Sequence, residues 1–137
     1  MLTDNRSNRL KKAALAVLVC YWMALVISTH IPHPPHLIFP QSISDKVLHL
    51  CAYAGLSFLL SFNWALRRPL GWQQWLGIVA GLAAFGAVDE VTQIPVGRQC
   101  DVFDWLADVT GIVVGSVLFL AASHVVRGAA QRQQEHS

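Results

Sequence analysis

Four long apolar runs, separated by shorter polar stretches, dominate the hydrophobicity pattern of the chain. They cover roughly residues 13–29, 45–64, 72–88 and 105–126. Each run approaches the length of about twenty residues that a helix needs to cross the hydrocarbon layer of a bilayer. Because backbone amides in lipid must be hydrogen-bonded within their own segment, each run is predicted to be a helix. The pattern therefore predicts an all-α, polytopic membrane protein built as a bundle of four transmembrane helices.

The first run is interpreted as a retained helix rather than a cleaved signal peptide. Its flank is basic, as in a secretory signal, but the run is long for a signal core, and Ser28-Thr29-His30 is not a small-residue cleavage site. The chain then divides into a cytoplasmic N-terminal tail (1–12), a membrane domain (13–126) and a cytoplasmic C-terminal tail (127–137).

The distribution of basic residues predicts the orientation of the helices. If the N-terminus is cytoplasmic, two of the ten Lys and Arg residues, Lys46 and Arg98, lie on the outer side. The other eight lie on the inner side, where loops carry the excess of positive charge. These eight are Arg6, Arg9, Lys11, Lys12, Arg67, Arg68, Arg127 and Arg132. Both termini are therefore predicted to be cytoplasmic, and two longer loops, roughly 30–44 and 89–104, to be external.

Composition excludes some classes of function. Of the 137 residues, 54% are hydrophobic and 13% are charged, which indicates a single membrane-embedded domain. No basic stripe with interleaved aromatic residues occurs, so nucleic acid is not an expected partner, whereas the lipid bilayer is. The three cysteines, Cys20, Cys51 and Cys100, do not indicate a disulfide framework.

The acidic residues are concentrated at the outer ends of the apolar runs. Six of the eight lie there: Asp45, Asp89, Glu90, Asp101, Asp104 and Asp108. Charge near hydrocarbon is costly, so the cluster is a candidate functional site. In the second run, Ser44 is a predicted N-cap, and Asp45, His49 and Tyr53 follow at helical spacing along one stripe.

The third and fourth runs add further polar candidates. Asp89 and Glu90, followed by Gln93, oppose the dipole at a helix C-terminus and require a cation nearby, which Arg98, Lys46, His49 or a metal could supply. Divalent metal is a candidate cofactor, with Asp89, Asp101 and Asp104 as its candidate ligands. One face of the fourth run is predicted to carry Asp101, Asp104, Asp108, Gly111 and Gly115, spaced 3, 4, 3, 4.

Glycine pairs predict where the helices approach one another. Gly111 and Gly115 form a Gly-x-x-x-Gly pattern, and Gly77 and Gly81 form another. In the first external loop, a polyproline conformation would place three histidines on one edge, where they could bind a transition metal. These are His30, His33 and His36. A solvated loop with incidental histidines is the favoured interpretation.

These motifs resemble the VanZ-like family of small membrane proteins over roughly residues 14–122. The resemblance rests on Asp45-Lys46-x-x-His49 with Tyr53, on Asp89-Glu90-x-x-Gln93, and on Arg98 with Asp101, Asp104, Gly111 and Gly115. Where the family usually has Asn, this chain has Asp108. The resemblance implies a multi-pass protein of the bacterial inner membrane connected with the cell envelope. The family takes its name from a protein that confers low-level resistance to teicoplanin, and the resemblance supplies no reaction.

Two classes of function remain open at this point. In a binding module, Arg98, Lys46 and protonated His49 would hold the phosphate of a lipid-linked envelope precursor, with the acids orienting these cations or coordinating a bridging divalent ion. In a membrane enzyme, a metal would activate water, or His49 paired with Asp45 would act as base and Glu90 as acid. A structural ion-pair network is the third interpretation. A channel is disfavoured because polar groups occupy one end of the helices.

Overall fold

The computed structural model describes residues 2–30, 44–97 and 100–135. Four long helices account for most of them, and no strand occurs in these ranges. The helices are α1 (Leu2–Thr29), α2 (Asp45–Ala65), α3 (Trp72–Thr92) and α4 (Val102–Glu135), and a short 3-10 helix covers Ile94–Val96. The predicted all-α architecture of four helices is confirmed.

All four helices are long and apolar enough to cross a membrane. The spans are Asn5–Thr29, Asp45–Ala65, Trp72–Val96 and Val102–Gln134. Large apolar side chains cover their outward faces: Ile27 and Leu118 are both 57% exposed. A water-soluble monomer rarely exposes such extensive apolar surface, whereas in a bilayer these side chains contact acyl chains. The chain is therefore a multi-pass membrane protein.

The first and last helices extend beyond the predicted spans. Helix α1 begins at Leu2 rather than near residue 13, and α4 continues to Glu135 rather than ending near residue 126. The added segments contain no proline and are rich in Arg, Lys, Ala and Gln, which favour helix. The tails predicted at 1–12 and 127–137 are thus largely continuations of membrane helices.

Helices α2 and α4 form the most extensive contact in the bundle. Gly111 and Gly115 lie against the α2 backbone, and a Cβ added at either would overlap the carbonyl of Leu50 or Ala54. The Ser57 hydroxyl donates a hydrogen bond to the Ile112 carbonyl at 2.8 Å within the same contact. The close helix approach expected at this glycine pair occurs, and it fixes the spacing of the polar side chains nearby.

The corresponding close approach at Gly77 and Gly81 is not formed among the described residues. Both glycines are exposed, and an added Cβ at either would meet no described atom within 4 Å. The α3 residues that face the bundle include Ile78, Leu82 and Gly86. They lie on a different face of the helix from Gly77 and Gly81. Gly77 and Gly81 border an apolar groove of about 640 Å³ between α1, α2 and α3.

The helices alternate in direction, so one end of the bundle gathers four particular helix termini. These are Thr29 of α1, Asp45 of α2, Thr92 of α3 and Val102 of α4, and we refer to this as the polar end. The 3-10 helix connects α3 toward α4 and finishes at Gly97, whose φ of 81° is in the left-handed region that glycine tolerates. The Asp101 amide donates a hydrogen bond to Glu90 Oε2 at 3.2 Å, so the α3 and α4 termini are adjacent at the polar end.

Candidate binding site at the polar end

His49 is at the centre of the polar end. It lies about one turn into α2 and is 5% exposed. Its Nδ1 lies 2.9 Å from Asp108 Oδ1 of α4, within hydrogen-bond distance, and 3.7 Å from Glu90 Oε1 of α3. His49, Glu90 and Asp108 are all buried, and we call them the buried trio. Three helices therefore each contribute one ionisable side chain to a single contact.

The chain folds this way because α4 carries its acids and glycines on the same face. Asp104, Asp108, Gly111 and Gly115 are all buried, consistent with their predicted helical spacing. The close approach at the two glycines draws Asp108 toward α2, so that the carboxylate meets the imidazole of His49. Asp108 Oδ1 lies at His49 Nδ1, and Asp45, the acid paired with His49 in the sequence-based hypothesis, also has a carboxylate oxygen within 4.8 Å of a His49 ring nitrogen.

Three polar atoms around the buried trio have no hydrogen-bond partner among the residues that the structure describes. They are Glu90 Oε1, Asp108 Oδ2 and the hydroxyl of Tyr53. Buried polar groups are almost always paired, because an unpaired one loses its hydration without compensation. Tyr53, predicted at the foot of the α2 polar stripe, is completely buried. Side chains from three helices thus carry unpaired polar atoms around His49 within the described part of the chain.

Lys46 and two aspartates form the rim of the site. The Lys46 ammonium donates hydrogen bonds to Asp101 Oδ2 at 2.9 Å and to Asp104 Oδ1 at 3.0 Å. The hydrogen bond from Lys46 lowers the pKa of the exposed Asp101 carboxyl below its usual range. Asp101 also caps the start of α4, where its Oδ1 accepts a hydrogen bond from the Phe103 amide at 2.8 Å.

Asp89 closes a different part of the polar end. Its carboxylate accepts hydrogen bonds from the Thr29 hydroxyl and the Gln93 amide, both at 3.2 Å, and lies 3.8 Å from His30 Nδ1. Asp89 therefore ties the end of α1 to α3. Sequence reasoning omitted Thr29 from the site, although its position at the end of an apolar run places it at the depth of the acids.

His30 extends the end of α1 and contacts the bundle. Its Nδ1 lies 2.9 Å from the Val26 carbonyl oxygen and its Nε2 lies 3.1 Å from the Thr92 hydroxyl. Both ring nitrogens are thus engaged within the bundle. The other two histidines of that hypothesis, at positions 33 and 36, are outside the described residues, as is Arg98.

The structure does not bring together the candidate metal ligands named from sequence, which are Asp89, Asp101 and Asp104. Asp89 is held by α1 and α3, whereas Asp101 and Asp104 share Lys46. Two other groups have ligand atoms that all lie within 4.8 Å of one another: the buried trio, and Asp45 with His49 and Asp104. His49 belongs to both groups, and no sequence spacing could indicate which acids reach it across the bundle.

No protein-family model matches this chain, and neither a curated protein nor a solved structure matches it. The resemblance to the VanZ-like family therefore rests on the sequence motifs alone, and the function has to be inferred from the site.

Proposed function

We propose that this multi-pass membrane protein binds the phosphate headgroup of a lipid at its polar end, and that the ligand is a lipid-linked precursor of the bacterial cell envelope. We propose phosphate as the ligand group because the rim carries the accessible ammonium of Lys46. We propose an envelope lipid because of the VanZ-like motifs. The polar end would face the outside of the inner membrane, in agreement with the distribution of basic residues.

The observation that carries the proposal is the position of Lys46. An ammonium has three N–H donors, and Lys46 uses two of them on Asp101 and Asp104. Its side chain is 47% exposed, so the third donor can reach a ligand at the membrane surface. The two aspartates hold the long side chain in one place, which reduces the conformational entropy lost when an anion binds.

The surroundings of Lys46 suit an amphipathic ligand. Phe103 lies beneath the ammonium, with its ring centroid 5.8 Å from Nζ, and is 62% exposed. Val47 and Val102 are exposed beside it. A headgroup bound at Lys46 would therefore leave its hydrocarbon chain against apolar side chains rather than in water.

Native mass spectrometry of the detergent-purified chain tests this function. We expect a polyprenyl-phosphate-type lipid to co-purify with the wild type and to be lost from Lys46→Gln and Arg98→Ala. Removing one charged hydrogen bond costs about 1.5–3 kcal/mol, so the affinity for the lipid should fall about tenfold or more. Arg68→Gln is the matched control, because it removes an exposed cation from the opposite end and should keep the lipid.

Two results would contradict the proposal. Bulk phospholipid alone, in equal amounts in all four proteins, would leave an ion-pair network as the better account of the rim. Loss of the specific lipid from Arg68→Gln to the same extent would show that net charge, rather than the polar end, determines its retention.

A further inference from the structure

The buried trio contains more acid than base. Glu90 and Asp108 supply two carboxylates and His49 supplies one imidazole. Among the described residues, no lysine or arginine lies within ion-pair distance of either carboxylate, since Lys46 contacts Asp101 and Asp104 instead. A buried net charge is costly unless it is paired or coordinates a metal. A divalent cation beside a neutral imidazole would balance the two carboxylates.

The distances within the buried trio suit a small metal ion. Ligand atoms about 2.1 Å from a tetrahedral zinc ion are about 3.4 Å from one another. His49 Nδ1 lies 2.9 Å from Asp108 Oδ1 and 3.7 Å from Glu90 Oε1, which brackets that separation, and all three ligand atoms lie within 4.8 Å of one another. One nitrogen and two carboxylate oxygens form a donor set typical of zinc or manganese sites, and three protein ligands leave a further position open.

A second, independent observation comes from Tyr53 and Gly86, which are not part of the trio. A Cβ at Gly86 would lie 3.2 Å from Asp108 Oδ2 and 3.5 Å from the Tyr53 hydroxyl. The unpaired hydroxyl and the unpaired carboxylate oxygen therefore face the same small space, which exists because residue 86 has no side chain. Both side chains are completely buried, so neither atom is satisfied by bulk water.

We propose that His49, Glu90 and Asp108 bind one divalent transition-metal ion of the zinc and manganese class, with the Tyr53 hydroxyl placed to hydrogen-bond a water on that ion. This site is distinct from the lipid site at Lys46, since the two share no side chain. Either can be correct without the other. In this chain Asp108 is a metal ligand. A carboxylate at this position binds a divalent metal more strongly than the amide of the Asn that the VanZ-like family usually has there.

Metal binding to the full-length protein in detergent tests the site without any lipid. The protein is stripped with a chelator, exchanged into chelator-free buffer and titrated with Zn²⁺ or Mn²⁺ by calorimetry, and Co²⁺ is used to record a visible ligand-field spectrum. We expect one ion per chain. Asp108→Asn and Glu90→Gln should each weaken binding at least tenfold, since even outer-shell changes at metal sites cost about 10–100-fold. Arg68→Gln, an exposed residue at the opposite end of the bundle, is the control and should bind as the wild type does.

The thermal midpoint of unfolding (Tm) of the wild type tests metal binding independently of any folding defect in the variants. Zn²⁺ should raise the wild-type Tm and the chelator should lower it, because an ion that binds only the folded state stabilises it. Absence of saturable binding and of any Tm shift in the wild type would overturn the proposal. So would a loss of binding in Asp45→Asn with full binding kept in Glu90→Gln and Asp108→Asn, which would assign the ion to the other group around His49.

Discussion

Asp108 shows what a single residue contributes to this bundle and how far sequence could anticipate it. Helical spacing predicted that Asp108 shares a face with Asp104 and the two glycines of α4, and it does. The residue of another helix that meets this face could not be predicted, because spacing along the chain relates only residues of the same helix. His49 therefore pairs through Nδ1 with Asp108 across the bundle, although Asp45 is the acid on its own stripe.

Lys46 and Asp101 give a residue-scale prediction about acid. Because Lys46 lowers the pKa of the Asp101 carboxyl in the folded state, the ionised pair stabilises the fold above the ordinary aspartate pKa, which is about 3.9. This stabilisation is lost as pH falls through the lowered pKa. We expect the Tm difference between wild type and Asp101→Asn to be constant from about pH 7 to pH 5 and to shrink in stronger acid.

Thermal unfolding across that pH range, with Lys46→Gln as the comparison, checks this expectation. Without the ammonium, the Asp101→Asn substitution should have little effect at any pH. A Tm difference that persists unchanged in strong acid would show that the substitution acts through the cap of α4 rather than through the ion pair.

At the scale of the elements, the two Gly-x-x-x-Gly patterns have opposite outcomes. The segments at 77–81 and 111–115 differ at one residue and have the same glycine spacing, so the pattern alone could not distinguish them. What differs is which face of each helix lies inward: α3 buries Ile78 and Leu82, whereas α4 buries Gly111 and Gly115. The lengths of α1 and α4 were also underestimated, because hydrophobicity marks the membrane span and not the end of the helix.

The two glycine pairs provide a matched test of helix packing. Gly111→Ala and Gly115→Ala should each destabilise the bundle by about 1–3 kcal/mol, because the new methyl group overlaps α2 backbone. Gly77→Ala and Gly81→Ala should change stability by less than about 1 kcal/mol and could be slightly favourable, since alanine is the better helix former.

The midpoints of unfolding of the four alanine variants in one detergent measure these differences. Equal destabilisation by all four substitutions would contradict the assignment of α3, because it would require an unseen partner against Gly77 and Gly81, such as a second copy of the chain.

At the scale of the whole molecule, the helix count followed from hydrophobicity, and the gathering of acidic termini at one end followed from the positions of the acids at the ends of the apolar runs. Alternating helix direction requires that the ends carrying Asp45, Glu90 and Asp104 meet. The depth of the site was harder to anticipate. The buried trio lies inside the bundle beneath the Lys46 rim, because the glycines of α4 allow α2 and α4 to close around it.

Cysteine labelling in intact cells tests most directly whether the polar end faces outward, as the proposed envelope function requires. Cys100 is exposed beside the start of α4, and replacing Cys20 and Cys51 with serine leaves it as the single thiol. A membrane-impermeant maleimide should label Cys100 in intact cells. A control protein that lacks all three cysteines and carries Pro69→Cys at the opposite end should react only after permeabilisation. Labelling of Cys100 only after permeabilisation would place the polar end in the cytoplasm and contradict the account.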